Sequence, residues 1–496
     1  MRYFSSIYIG SYAISMKIFE IKEDGSAREL DNMRYPIASI MDIFDKGSIS
    51  VDRTREICNV LNDMKLAMDS YGVDDYTLAI GSMLHEADNE MFLVDQIRLR
   101  VGLEPTRLTN SEQRFFEYEA VASSENFDKM IQEGAILVDF GGAALQLTLF
   151  ENGAVKTTQH LDLGTFKMYM TMQRLKNMHD RMEQIKDVVD KELDTFLNMY
   201  FPEKHISNLI VMADKSIRSS KKLKNGVPYK PEEVKSILLK EWEDKLNNEG
   251  TVFSSLERAM YILTSELISM IPADEVHLPR VAINDGIMLD YLYREKLLTP
   301  KHDFQKDVIS AAYSLASRYG SYFPHIEVLD NLSCKIFDIM SASNGMNDRM
   351  RLMLRVSVIL HDCGKYISIS EASNNSFRII LSSEILGLTH KERQMVACVA
   401  QYNRKDLPNY KQLSSMFTRK QYWNIAKMVA ILRVANALDR SHKQRLKDVK
   451  LSIKDHELII GVSEESSIAL ERGLFKEKAD FFENIFSIRP VIREVK

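Results

Sequence analysis

The chain has 496 residues, 45% of them hydrophobic and 27% charged. At roughly 150 residues per domain this length suggests about three domains, and the composition excludes a disordered, collagen-like or disulfide-scaffold chain. Sixty-five basic against 70 acidic residues give a net charge of −5, so no overall positive field argues for nucleic acid as a specific partner.

Cys58, Cys334, Cys363 and Cys398 share no CxxC spacing and read as free thiols of a reducing compartment. No run of 18 apolar residues offers a spanning helix. After Arg2, apolar residues alternate with small or polar ones through Ile7, Ile9, Ile14, Met16 and Ile18, which is a strand period and not a signal peptide. Together these features predict a cytoplasmic protein without a membrane partner.

In chain order, residues 3–21 read as two strands, ending in the acidic turn EDGS. Residues 53–72 carry apolar residues at helical spacing and stop at Gly72. TLAIGSML (77–84) reads as a buried strand, and MFLVDQIRLRVG as a helix closed by Gly102. NSEQRFFEYEAVAS starts another helix, with Asn110 or Ser111 as its N-cap. A similar block opens at 135: AILVDFGG is a strand ending in a glycine turn, followed by strand, Asn-Gly turn and strand. A helical stretch (174–199), the strand NLIVMA (208–213), a basic loop (215–226) and a helical region to about 298 complete the first part. From 301 to about 448 only helical patterns occur; a hairpin follows from 449, then a terminal helix in LFKEKADFFENIF.

Strand, glycine turn and strand thus occur twice, around Gly10 and around Gly141–Gly142. Such turns expose backbone N–H groups and can cradle phosphate without a lysine. A carboxylate at a strand end, such as Asp139, suits a Mg²⁺ held partly through water. Two plain hairpins with glycines for turn geometry would carry the same pattern.

The chain resembles the exopolyphosphatase/guanosine pentaphosphate phosphatase (Ppx/GppA) family over nearly its whole length. IYIGSYAISMKIFEI is similar to that family's first phosphate loop, and LVDFGGAALQL to its second. IGSMLHEADN falls where the family has Arg-Glu-Ala, and LTNSEQRFFEYEAV on the helix of its catalytic glutamate. HLDLGTFKM and RVAINDGIMLDYLY resemble later segments. PHIEVLDNLSCKIFD, ILHDCGKYISIS and LRVANALDRSH resemble the HD-type domain of longer members.

The resemblance implies an α/β fold: two actin-like (ribonuclease H-like) ATPase-fold lobes, 1–122 and 123–300, an all-helical HD-type domain, 301–448, and a small α/β tail, 449–496. It implies a phosphoanhydride hydrolase acting in the interlobe cleft on polyphosphate or on guanosine penta- or tetraphosphate, with Mg²⁺. Gly10, Ser11, Gly141 and Gly142 would hold phosphate, Asp139 the metal, and Glu112, Asp139 and Gln146 would carry the chemistry. A second copy of the chain is among the implied partners.

Several family positions are substituted. Tyr8, Tyr12, Ala13 and Ser15 stand where the first loop has Asp, Asn, Ser and Arg; His85 replaces an arginine; Ala143, Ala144 and Gln146 replace a glycine, a serine and a glutamate. The base position falls on Glu112 or Gln113. An amide such as Gln146 can orient water but cannot take its proton, and losing a positioned base costs roughly 10²–10⁴-fold. Loss of two arginines removes two bidentate phosphate ligands. Glu112 also reads as an ordinary first-turn acid favoured by the helix dipole. The competing expectation is a degenerate relative that binds a nucleotide or polyphosphate, or serves as a scaffold.

In the HD-type part, His325, His361 and Asp362 form a metal-ligand constellation of hydrolytic phosphoesterases. The last carboxylate position is Asn436, with Asp439 one turn further on, and NNSF (374–377) and Asn403 stand where related domains carry more histidines. A helix-packing remnant, with Asp362 hydrogen-bonded to His361, is the alternative. The basic stretches 215–226 and 440–450 read as solvated loops or as a polyanion path.

Overall fold

A computed structural model describes residues 2–174, 178–201, 205–212, 217, 220–246, 252–446, 449–462 and 468–494. The chain divides into two compact units, Met1–Phe304 and Gln305–Lys496. The division lies four residues beyond the boundary expected at 300/301.

The first unit holds two five-stranded sheets. Strands β1 (Arg2–Ile9), β2 (Ala13–Ile21), β3 (Ala27–Pro36), β4 (Asp75–Ile80) and β5 (Pro105–Arg107) form one, in the order β3-β2-β1-β4-β5. Strands β6 (Ala135–Phe140), β7 (Leu145–Glu151), β8 (Ala154–Leu161), β9 (Ile206–Met212) and β10 (Ala273–His277) form the other, in the order β10-β9-β6-β7-β8. Read from the third strand of each, the two orders are the same. In both, three antiparallel strands are followed by two parallel ones.

The period of two is visible in β1. Ile7 and Ile9 enter a core with Ile57, Leu61 and Ile97 from the helices Val51–Tyr71 and Glu90–Val101. Phe4 points to the opposite face and stacks on Tyr291 at 4.2 Å. Tyr291 belongs to the helix Ile283–Arg294, so a segment expected with the second lobe lies on the first sheet, also against the helix Asn110–Ala122. The second sheet has its own core, built by Val138, Leu147 and Leu209 with the helices Thr165–Arg174, Met178–Tyr200 and Val252–Met270.

Capping explains the helix starts. Thr109 accepts from the N–H of Glu112, whose side chain accepts from Thr109 in return. The cap is therefore one residue before the expected Asn110 and two before the alternative, Ser111. Gly72 and Gly102 close their helices in left-handed conformations, φ 64° and 73°, as their sequence positions predict. The region expected to be helical to 298 contains β10. Residue 213 of the expected strand, residues 215–216 and 218–219 of one basic stretch and 447–448 of the other lie outside the described residues.

The second unit is helical from Phe323–Asn344 through Asp348–Leu360, Ala372–Ser382, His390–Tyr402 and Arg419–Leu438. A small sheet follows, with β11 (Lys450–Lys454), β12 (Glu457–Val462) and β13 (Arg489–Glu494) in sequence order. The helix Ala469–Phe486 packs on β13 and on Arg419–Leu438. The hairpin β11–β12 and the helix were expected; β13 was not. No helix among the described residues is long and apolar enough to cross a membrane.

Candidate functional site

The two glycine turns meet. Gly10 closes the β1–β2 turn by donating to the Ala13 carbonyl at 2.9 Å, and Gly141 closes the β6–β7 turn by donating to Ala144 at 2.9 Å. A methyl group on Gly142 would lie 3.6 Å from the Tyr12 hydroxyl and 4.0 Å from Ser11 Oγ. The structure thus brings Gly10–Ser11 and Gly141–Gly142 together.

What fills the space beneath them is the chain's own side chains. The Tyr8 ring rests on Gly10, where an added Cβ would come within 2.8 Å of Cε1, and its hydroxyl takes the space of a side chain at Gly81. Burial, then the charges of Glu117 and Asp139, push the Tyr8 hydroxyl far above its ordinary pKa, against Arg114. This tyrosine stays a neutral phenol throughout the working range of pH.

Asp139 is the penultimate residue of β6 and is buried, as is Gln146 opposite it on β7. Asp139 Oδ2 accepts from Arg114 Nη1 at 2.6 Å, and the same guanidinium donates to the Asp139 carbonyl at 3.2 Å and the Ala144 carbonyl at 2.9 Å. Arg114, 3% exposed, thus ties the second turn to the helix Asn110–Ala122. Gln146 Oε1 is buried without a hydrogen-bond partner.

Glu112 is engaged elsewhere: its Oε2 accepts from the Thr109 amide at 2.8 Å and hydroxyl at 2.6 Å. Gln113 Oε1 accepts from the Ser82 amide and hydroxyl, both at 3.3 Å, beside Gly81. Of the two candidates for the base position, the glutamine reaches the Gly81–Ser82 turn. His85 lies between Glu90 Oε1 and the Leu108 carbonyl, each at 2.8 Å. Ser15 bonds Asn284 Oδ1 at 2.7 Å.

As built, this site does not fit a resident Mg²⁺. That ion takes near-octahedral oxygen ligands and retains water. Here Asp139 is already charge-paired by a guanidinium 2.6 Å away, and the side-chain oxygen opposite it, on Gln146, is neutral.

The second unit holds a different cluster. His325, His361 and Asp362 are all buried, and one ligand atom from each lies within 4.8 Å of the others. His325 Nδ1 donates to Asp439 Oδ2 at 2.7 Å, and His361 Nδ1 donates to the Val358 carbonyl at 2.7 Å. Each ring turns its buried Nε2 to the cluster, and that of His361 lies 3.4 Å from Asp362 Oδ2, the contact expected of a helix-packing remnant. Burial lowers the His325 pKa despite Asp439. His442 stacks on His325 at 3.8 Å, and burial with that neighbour takes its pKa to about 4. Asp362 is held by Lys365 and by Arg404, the latter at 2.8 Å. Burial opposes ionisation of Asp362, but His361, Arg404 and Lys365 outweigh it and hold its carboxyl well below the usual range. Asn436 Oδ1 is buried without a partner. The donor types, two imidazoles and a carboxylate, are those of a transition-ion site, but Lys365 and Arg404 occupy the carboxylate here.

Arg114 and Asp439 are the functional neighbours that sequence reasoning missed or misplaced.

Comparison with known proteins agrees with this architecture. An exopolyphosphatase-like protein of known structure is 16% identical and superposes with a TM-score of 0.50 over 60% of this chain and 99% of its own. An exopolyphosphatase from Cytophaga hutchinsonii is 13% identical (TM-score 0.49; 60% of this chain, 100% of its own). A Ppx/GppA family member from Aquifex aeolicus is 16% identical (0.48; 59% and 98%). No curated protein matches the chain. The class is therefore a two-lobed, actin-like fold with a helical extension. Residues 310–478 match the family model "Ppx/GppA phosphatase, domain III". That match covers about a third of the chain, and the two-lobed part before it is similar to these proteins in fold.

Proposed function

We propose that this is a Ppx/GppA-type protein whose two-lobed unit binds or scaffolds and does not hydrolyse phosphoanhydrides. The observation that carries this reading is the Arg114–Asp139 pair, which ties up the carboxylate that would serve a metal. Hydrolysis of a terminal phosphate needs an oriented water, a base and positive charge on the equatorial oxygens. Here Glu112 caps its helix, Gln113 and Gln146 are amides, and His85 is turned to Glu90. The turns at Ser11 and Gly142 lie too close for a phosphate to sit between them unless they part. Polyphosphate ends and guanosine penta- or tetraphosphate are the ligands the family likeness supplies. The test is phosphate release with Mg²⁺ on both, beside calorimetry with the same compounds. No release above the blank is expected; substantial release that is abolished by Glu112→Gln overturns the reading.

A second reading is favoured by two buried Nε2 atoms gathered with Asp362 within 4.8 Å of one another. His325, His361 and Asp362 would hold a divalent transition ion, which when bound supplies an activated water for phosphoester hydrolysis. Lys365 and Arg404 would have to release Asp362 for it. Metal analysis of the purified chain decides: about one equivalent, lost in His361→Ala, supports this reading, and less than about a tenth of an equivalent removes it.

A further inference from the structure

The small sheet of the second unit ends in an open strand. β12 pairs with β13 in parallel, from Glu457 opposite Arg489 to Val462 opposite Glu494. No strand among the described residues lies on the other side of β13. The Arg489 amide donates to the His456 carbonyl at 3.0 Å, so Arg489 turns its backbone groups toward β12. Backbone groups alternate along a strand. The Pro490 carbonyl, both groups of Ile492 and the Glu494 amide therefore face the open side. Pro490 occupies one of these outward positions, where a missing N–H takes nothing from the ladder.

Beside this edge runs a groove of about 300 Å³. Phe475 and Ala479 line it from the helix Ala469–Phe486, Val491 and Ile492 from the strand, and Arg472 and Lys476 from the rim; no carboxylate lines it. The helix contributes one stripe at helical spacing, and the strand contributes consecutive residues, as expected of a channel that follows the strand's rim. Ion pairs close its two ends: Arg472 with Glu494 at 2.6 Å, and Arg489 with Asp480 at 2.9 Å and with Glu483. Lys476, between them, is exposed.

We propose that β13 is a docking edge for an extended peptide of a partner protein, one with apolar residues at alternate positions and acidic residues between them. Main-chain hydrogen bonds to Ile492 would hold the added strand, its apolar side chains would enter the groove, and its carboxylates would meet Lys476 and Arg472. A second copy of this chain suits the edge less well. Antiparallel self-pairing around Val491 sets Arg489 opposite Arg493 of the other copy, and like charges directly opposite are destabilising. Self-pairing around Ile492 places Pro490 where donors are needed.

The experiment uses the full chain and fluorescence anisotropy, with a labelled acetyl-Glu-Val-Glu-Val-Glu-Val amide and its lysine-for-glutamate counterpart. The acidic peptide is expected to bind at least about tenfold more tightly than the basic one. Ile492→Pro removes the outward N–H and leaves the bonds to β12 intact, and Lys476→Glu reverses the open charge. Each is expected to weaken binding about tenfold with the circular dichroism unchanged. Equal binding of the two peptides, no binding of either, or binding untouched by Ile492→Pro overturns the proposal. A chain that sediments as a dimer, and as a monomer after Ile492→Pro, overturns it in favour of self-pairing.

Discussion

Asp139 and Arg114 show how one side chain can decide the character of a site. Both are buried, and each is the other's compensation. Asp139→Asn should leave an uncompensated guanidinium and destabilise the first unit by about 3–5 kcal/mol, read as a lowered urea midpoint. Replacing both together, Asp139→Leu with Arg114→Met, should come much closer to neutral. Glu119 makes a second residue-scale prediction. It is 4% exposed, its Oε2 has no partner, and burial, aided by Asp290, raises its pKa to about 9. The unfolded chain ionises this group near the ordinary carboxylate value, so the folded state binds the extra proton. Stability is therefore full at acid pH and falls as pH rises toward 9, by up to about 1.4 kcal/mol per pH unit. Glu119→Gln should flatten that slope, with the largest gain over the parent at pH 8 and almost none at pH 5 in urea titrations. At this scale the sequence was half legible. Asp139 announces itself as a carboxylate at the end of an apolar strand, whereas Arg114 sits between Gln113 and Phe115 and looks like any solvated helix cation. Its partner lies 25 residues away and is fixed only by tertiary packing.

The helices and strands carry their own logic. Thr-Asn-Ser-Glu at 109–112 spells a capping box, so the helix start was readable to within one residue. Gly72 and Gly102 were readable for the same local reason. β10 and β13 were not, because each is short and its pairing is parallel and non-local. RPVIRE carries a proline and three charges in six residues, which is how an edge strand looks and how a loop looks. The contact between the helices Asn110–Ala122 and Ile283–Arg294 is tested at Gly286. A Cβ there would collide with the Phe116 carbonyl, a backbone atom that cannot rotate away. Gly286→Ala should cost about 1–3 kcal/mol or more and raise amide exchange in both helices together.

Across the whole chain, the repeated strand and glycine turn foretold two lobes of one design, and the shared strand order bears that out. The return of Ile283–Arg294 to the first sheet was invisible, because nothing local marks which of two similar sheets a helix will cover. Asn284 makes the return specific: its amide donates to the Ser6 carbonyl at 2.9 Å and accepts from Ser15 at 2.7 Å, while Asp285 pairs with Lys17 at 2.7 Å. A chain cut after Phe304 should therefore fold cooperatively. One cut after Val281 should expose the wall around Phe4 and Phe19, bind a hydrophobic dye such as ANS and aggregate.

The same return sets a timetable for synthesis. Domains usually fold from the N-terminus as the ribosome delivers them. Here the opening strands emerge first, yet the helix that covers them is encoded after residue 282. For most of the first unit's translation the nascent chain must carry an uncovered apolar wall, so chaperone demand should peak before that helix clears the exit tunnel.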